Sequence, residues 1–203
     1  LLKQVIDMGA HMWYTFFLVP TGRGTQLHSL SPTEREDVLH WLHDVSDRIA
    51  IKTTEAPQYR RVALQRKQPD YAYSGGDLYQ QLTAQTHKLL GEVPVKPRRP
   101  RPPMAVNSGS GFAFIDHIGD VYPSGFLPLH CGNVTDTSFA DIYEHSPVFQ
   151  NLRDPDHWEG KCSVCEFHTV CGGSRSTAYA MTGNYRASDP TCSYVPPAWK
   201  KSS

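Results

Sequence analysis

Four cysteines fall between positions 162 and 192 with the spacing C-x2-C-x5-C-x20-C: Cys162, Cys165, Cys171 and Cys192. No other feature of the 203 residues narrows what the chain can fold into as far. Thiols crowded onto a loop-rich stretch form disulfides, hold zinc, or ligate an iron–sulfur cluster. The chain has five cysteines, an odd number, with Cys131 outside the window, and nothing in it argues for secretion. A reduced metal or cluster site therefore ranks above disulfides, and the expected compartment is the cytoplasm.

The C-x2-C pair sets two thiolates on one tight turn, and thiolate is a soft ligand that suits iron and zinc alike. Gly172-Gly173, directly after the third cysteine, lets backbone N–H groups approach cluster sulfurs. Zinc sites usually pair two C-x2-C knuckles; only one is present, which favours a cluster and keeps zinc as the alternative occupant. His168, inside the loop, is a candidate hydrogen-bond donor behind the ligands. Cys131 alone cannot hold a cluster and reads as a small apolar filler.

Apolar residues make up 39% of the chain, and its 16 prolines are concentrated in a few places, so a core coexists with long irregular stretches. Formal net charge is zero, which argues against a nucleic-acid binder driven by charge. No run approaches the ~18 apolar residues of a membrane helix, and no membrane partner is expected. The ten histidines are scattered, and His40 and His43 read as surface groups on a helix.

Leu1 to Gly9 reads as the last turns of a helix closed by glycine, so the chain is expected to be the C-terminal part of a longer protein. His11 to Val19 is apolar on both faces, as in a buried parallel strand, and Pro20 to Gly24 stops it in a tight loop. Ser31-Pro32-Thr33-Glu34 starts a helix running to about Ile49 and burying Val38, Leu42, Val45 and Ile49. A strand over 50–54 and helices over 58–65 and 77–90 follow. This alternation is that of a parallel α/β sheet or barrel with too few strands to close. The proline- and arginine-rich run around Arg98, Arg99 and Arg101 reads as a solvated linker. Beyond it come a hairpin around His117-Ile118-Gly119, two short helices near 138–143 and 147–152, the cysteine loop, and a helix over 174–181. The domains are then 1–92, a linker 93–105, 106–195, and a tail 196–203.

From Gly111 to Cys192 the chain resembles the SPASM auxiliary-cluster domain of radical S-adenosylmethionine enzymes. The pieces are Gly119-Asp-Val-Tyr-Pro, Gly132-Asn-Val, Phe139-Ala-Asp-Ile-Tyr, Cys162-x2-Cys165-x5-Cys171-Gly-Gly, Tyr179-Ala-Met-Thr-Gly183 and Asp189-Pro-Thr-Cys192, in that order. Residues 1–65 resemble the last strand–helix units of the partial (β/α) barrel that precedes this domain, and the flavour is similar to the haem-biosynthesis branch. The resemblance implies one auxiliary 4Fe-4S cluster with complete thiolate ligation by Cys162, Cys165, Cys171 and Cys192. The family's fuller pattern has further cysteines where this chain has Ser124 and Arg175, so a companion cluster site is not implied.

For the whole enzyme the resemblance implies a second 4Fe-4S cluster binding S-adenosylmethionine, whose reductive cleavage gives a 5′-deoxyadenosyl radical that abstracts substrate hydrogen. It also implies an electron donor such as a flavodoxin or ferredoxin, and a tetrapyrrole, other small-molecule or peptide substrate. The C-x3-C-x2-C loop of that chemistry does not occur in these 203 residues, and the pattern expects it upstream of Leu1. In (β/α) barrels the loops after strands build the active site. Arg23, on the Pro20–Gly24 turn, then suits a carboxylate of S-adenosylmethionine or substrate, and Glu55, with Tyr59 and Arg60, suits a ribose or other polar group. Ordinary turn chemistry is the alternative for both. The fold class expected is α/β, with barrel-end units followed by a small α+β cysteine-rich domain. The competing function is a non-catalytic, zinc-stabilised binding module.

Overall fold

The computed structural model describes residues 1–91 and 105–200. The linker reading of 93–105, Arg98, Arg99 and Arg101 included, falls almost wholly outside the described residues. The chain divides into two units. The first holds Leu1–Phe17, the described part of 30–103, and Thr191–Ser193; the second holds Leu18–Ser29, the described part of 104–190, and the chain from Tyr194.

In the first unit, α1 (Leu2–Asp7) ends at Met8, with Gly9 at φ +71 turning the chain into β1 (Met12–Phe16). A helix α2 (Pro32–Asp44) runs on through a 3-10 turn at Val45–Asp47 to β2 (Ala50–Thr54), and α3 (Gln58–Gln65) and α4 (Asp77–Leu90) follow. Ser31 starts α2 as its residues dictate. Its hydroxyl accepts from the Glu34 amide at 3.2 Å, and the Glu34 carboxylate accepts from the Ser31 amide at 2.8 Å. Because α2 carries the chain back to the same end, β1 and β2 pair in parallel, from Met12↔Ala50 to Phe16↔Thr54.

The reading of β1 as buried on both faces is corrected: Tyr14 and Phe16 are 60% and 55% exposed. The sheet has two strands, and only the face bearing Trp13 packs on the core, where Trp13 meets Trp41 edge-on at 6.0 Å. That core is built on Leu39, Leu42, Val45, Ile49 and Val62.

His40 is also corrected. It is fully buried, stacked on Tyr73 at 3.6 Å between ring centroids, and its Nε2 lies 3.3 Å from Glu36. Glu36 is paired with the buried Arg61 of α3 through two contacts of 2.8 and 2.6 Å, and accepts from the Ser193 hydroxyl at 3.2 Å. Burial works against ionisation of Glu36, but the hydrogen bonds of His40 and Arg61 and the guanidinium charge outweigh it and hold the carboxyl at about 2. A helix face that reads as polar is thus interior because its charges neutralise one another.

In the second unit a 3-10 turn at Gly22–Gln26 is followed, later in the chain, by β3 (Phe114–Ile115), β4 (Asp120–Tyr122) and β5 (Gly132–Asn133), an antiparallel sheet in the order β3-β4-β5. The β3–β4 turn closes as its residues require: Asp116 accepts from the Ile118 and Asp120 amides, and Gly119 takes φ +91. Helices α5 (Phe139–His145), α6 (Pro147–Arg153) and α7 (Arg175–Thr182) complete the unit around Val121, Ile142 and Phe149. Among the described residues, no helix is long and apolar enough to cross a membrane.

Candidate metal centre

The cysteine loop is a succession of tight turns. Cys162 ends a 3-10 turn over Gly160–Cys162, is 8% exposed, and its amide donates to the Ser188 hydroxyl at 3.1 Å. The His168 amide bonds the Cys165 carbonyl at 2.9 Å, and the Cys171 amide bonds the Phe167 carbonyl at 2.8 Å. Such turns supply no core of their own, so the thiols at 162, 165 and 171 are the natural staples of the stretch.

The loop then turns back through Gly172 and Gly173, at φ +66 and +68, a conformation that other residues adopt at a strain. Two groups fix it. Asn107 donates to the carbonyls of Cys171 and Gly173 at 3.2 and 2.8 Å, and the buried Asp189 accepts from the Ser174 amide at 2.7 Å. As a result the Gly173 amide points at the Cys171 sulfur, 3.5 Å away. A Cβ added at Gly173 would lie 3.4 Å from the Cys162 sulfur, 2.7 Å from Arg175 Nη2 and 2.8 Å from Asp189 Cβ. One glycine is therefore the meeting point of two of the four thiols.

Cys192 belongs to the first unit, on the segment Thr191–Ser193 whose serine is tied to Glu36. Among the described residues, no three His, Cys, Asp or Glu side chains are gathered closely enough to hold a metal ion, and no disulfide joins the cysteines. The donor chemistry nevertheless fits a soft metal group. The sulfurs are thiols, one accepts a backbone N–H, another a guanidinium N–H, and no carboxylate cage of the kind hard cations need is present among the described residues.

The positions where the resemblance has extra cysteines are filled by other chemistry. Ser124 is buried and its hydroxyl accepts the Phe126 amide at 3.2 Å, closing a turn. Arg175, fully buried, reaches the Cys162 sulfur at 3.6 Å. Cys131 packs against the Val121 cluster and donates to the Leu129 carbonyl at 3.3 Å, and burial pushes its thiol up. His168 Nδ1 lies 2.7 Å from the Cys165 carbonyl oxygen, so it holds loop backbone rather than a sulfur.

Arg23 is exposed on the 3-10 turn of the second unit. Glu55, in the first unit, follows β2 directly and is held at φ +57, the one positive φ outside glycine among the described residues. Buried Arg35 donates to its carbonyl, and the Thr53 hydroxyl donates to the Ala56 carbonyl at 3.0 Å, which pins the turn. A left-handed non-glycine residue at a strand C-terminus is a strained position of the kind found at binding sites. Sequence reasoning missed Asn107 and the Glu36–Arg61 pair. Asn107 sits just past the proline run with no motif around it, and only its amide geometry reveals it.

The SPASM family, an iron–sulfur cluster-binding domain, matches residues 107–166. The chain is 36% identical over 192 residues to the "AdoMet-dependent heme synthase" of Methanosarcina barkeri, covering 94% of this chain and 50% of that protein. It is 38% identical over 200 residues to the protein of the same name from Nitratidesulfovibrio vulgaris, covering 97% and 50%. A "PqqA peptide cyclase" of Gluconobacter oxydans is 36% identical over 109 residues, 48% of this chain and 28% of that protein. The chain thus spans about half the length of the heme synthases it matches.

Proposed function

Since the chain belongs to the SPASM-type radical S-adenosylmethionine proteins, we propose that it provides the auxiliary 4Fe-4S centre of an enzyme that modifies a tetrapyrrole by radical chemistry. Cys162, Cys165, Cys171 and Cys192 would hold the cluster, which supplies one-electron transfer when bound. Four thiolates leave no iron position open, so electron transfer or substrate positioning is favoured over direct ligation of substrate.

The observation that carries this reading is the extent of similarity. Likeness to the heme synthases runs over nearly the whole chain, whereas likeness to the peptide cyclase covers about half of it. A peptide substrate is the second reading on that ground. In the first unit, β1–α2–β2–α3 would be the closing strand–helix units of a partial (β/α) barrel. Arg23 and Glu55 would bind the carboxylate and a polar group of S-adenosylmethionine or substrate. The Asn107 clamp would hold the Cys171–Gly173 backbone so that its amides face sulfur. The compartment is the reducing cytoplasm, with a flavodoxin- or ferredoxin-type electron donor.

Reduction followed by spectroscopy tests the cluster. The anaerobically purified chain is expected to be brown, to bleach with dithionite and to give an electron paramagnetic resonance signal, and Cys165→Ala to lose that signal. A colourless, folded protein unaffected by dithionite would contradict the proposal.

A further inference from the structure

Arg175 is a fully buried cation in the second unit. Its exposure is 0%, and it opens α7, where the helix dipole disfavours a cation. Among the described residues no carboxylate lies within ion-pairing distance of its guanidinium. Its partners are the Tyr185 and Ala187 carbonyls at 3.1 and 2.9 Å, the Trp158 ring at 5.1 Å from its centroid, and the Cys162 sulfur at 3.6 Å; Nε has no acceptor. The buried Asp189 flanks the same Gly173 but is engaged with the Ser174 amide, so the direct contacts of this buried guanidinium include no carboxylate, an arrangement proteins rarely build. The sulfur it touches is the one partner able to carry negative charge.

We propose that Arg175 is the counter-cation of the auxiliary centre: its guanidinium donates to the Cys162 thiolate and sets the reduction potential of the cluster that Cys162 helps to hold. The proposal rests on the cluster reading above. A cluster bound by four thiolates is anionic and gains a further negative charge on reduction. A fixed cation and an N–H···S hydrogen bond at one ligand therefore favour the reduced form and raise the potential. The same side chain explains why the position that carries a cysteine in the fuller pattern is occupied here. An arginine fills the space, closes the 185–187 carbonyls over it, and turns a would-be ligand position into an electrostatic one. Arg175 acts through Cys162 and is a positioning residue.

Redox titration of the cluster-loaded chain, followed by electron paramagnetic resonance, tests the assignment on wild type, Arg175→Gln and Arg175→Lys. Gln is expected to make reduction about tenfold less favourable, ~59 mV more negative for one electron. Lys, which keeps the charge, is expected to stay within about threefold of wild type. A cluster-loaded Gln variant with the wild-type potential would overturn the proposal. If Gln fails to fold, the anaerobic crystal structure of loaded wild type decides: Arg175 Nη2 within hydrogen-bonding reach of the Cys162 sulfur supports it, and a guanidinium turned away from that sulfur overturns it. Iron and sulfide analysis separates the two levels. A wild-type chain without sulfide defeats the cluster reading itself, whereas a loaded Gln variant at wild-type potential defeats the Arg175 assignment alone.

Discussion

At Gly173 the constraint on the chain is both conformational and steric. The residue needs φ +68, and any Cβ would meet Arg175 and Asp189 below 3.0 Å while also approaching the Cys162 sulfur. Gly173→Ala is therefore expected to destabilise the second unit by about 1–3 kcal/mol. It should also lower the iron retained per chain, read by thermal unfolding together with metal analysis. Wild-type stability and iron content in this variant would show that the glycine is incidental. The four cysteines and the glycine pair were legible in the sequence because thiol spacing and glycine carry their chemistry locally. Arg175 and His40 were not. Each is buried because of partners far along the chain: Tyr71 and Tyr73 stack around His40, and the carbonyls of 185 and 187 close over Arg175.

Among the elements, β2, α3 and α4 emerge with the bounds their residues predict, with Pro57 ahead of α3 and glycines on either side of α4. The faces were harder to read than the elements. β1 looks two-sided in sequence but is covered on one side, and α2 hides Arg35, Glu36, Asp37 and His40. The Glu36–Arg61 pair locks α2 to α3 and, through Ser193, anchors the segment that carries Cys192. Its pH dependence follows from the depressed carboxyl. Glu36 titrates below its ordinary 4.5, so the stabilisation is fully present above about pH 4.5 and is lost as pH falls toward about 2. The amount is about 3 kcal/mol. Denaturant unfolding at neutral pH and near pH 3 should show this slope in wild type. Glu36→Gln should lack it and be less stable at neutral pH by about 3–5 kcal/mol, because Arg61 is left buried without its partner. An equally steep acid slope in Glu36→Gln would assign the effect to other carboxylates.

For the whole molecule, composition and spacing pointed to a reduced soft-metal site, and the parallel β1–α2–β2 unit and the three-stranded antiparallel sheet bear out the mixed α/β architecture. The division into units was less legible, because 18–29 and 191–193 each group with the unit that their neighbours in sequence do not join. Such grouping depends on tertiary contacts that no local pattern encodes.

The central claim is the identity of the group held by Cys162, Cys165, Cys171 and Cys192. Quantifying iron, acid-labile sulfide and zinc in the anaerobically purified chain tests it most directly. About four irons and about four sulfides per chain, with zinc negligible, is the predicted result. One zinc per chain with no sulfide would contradict it.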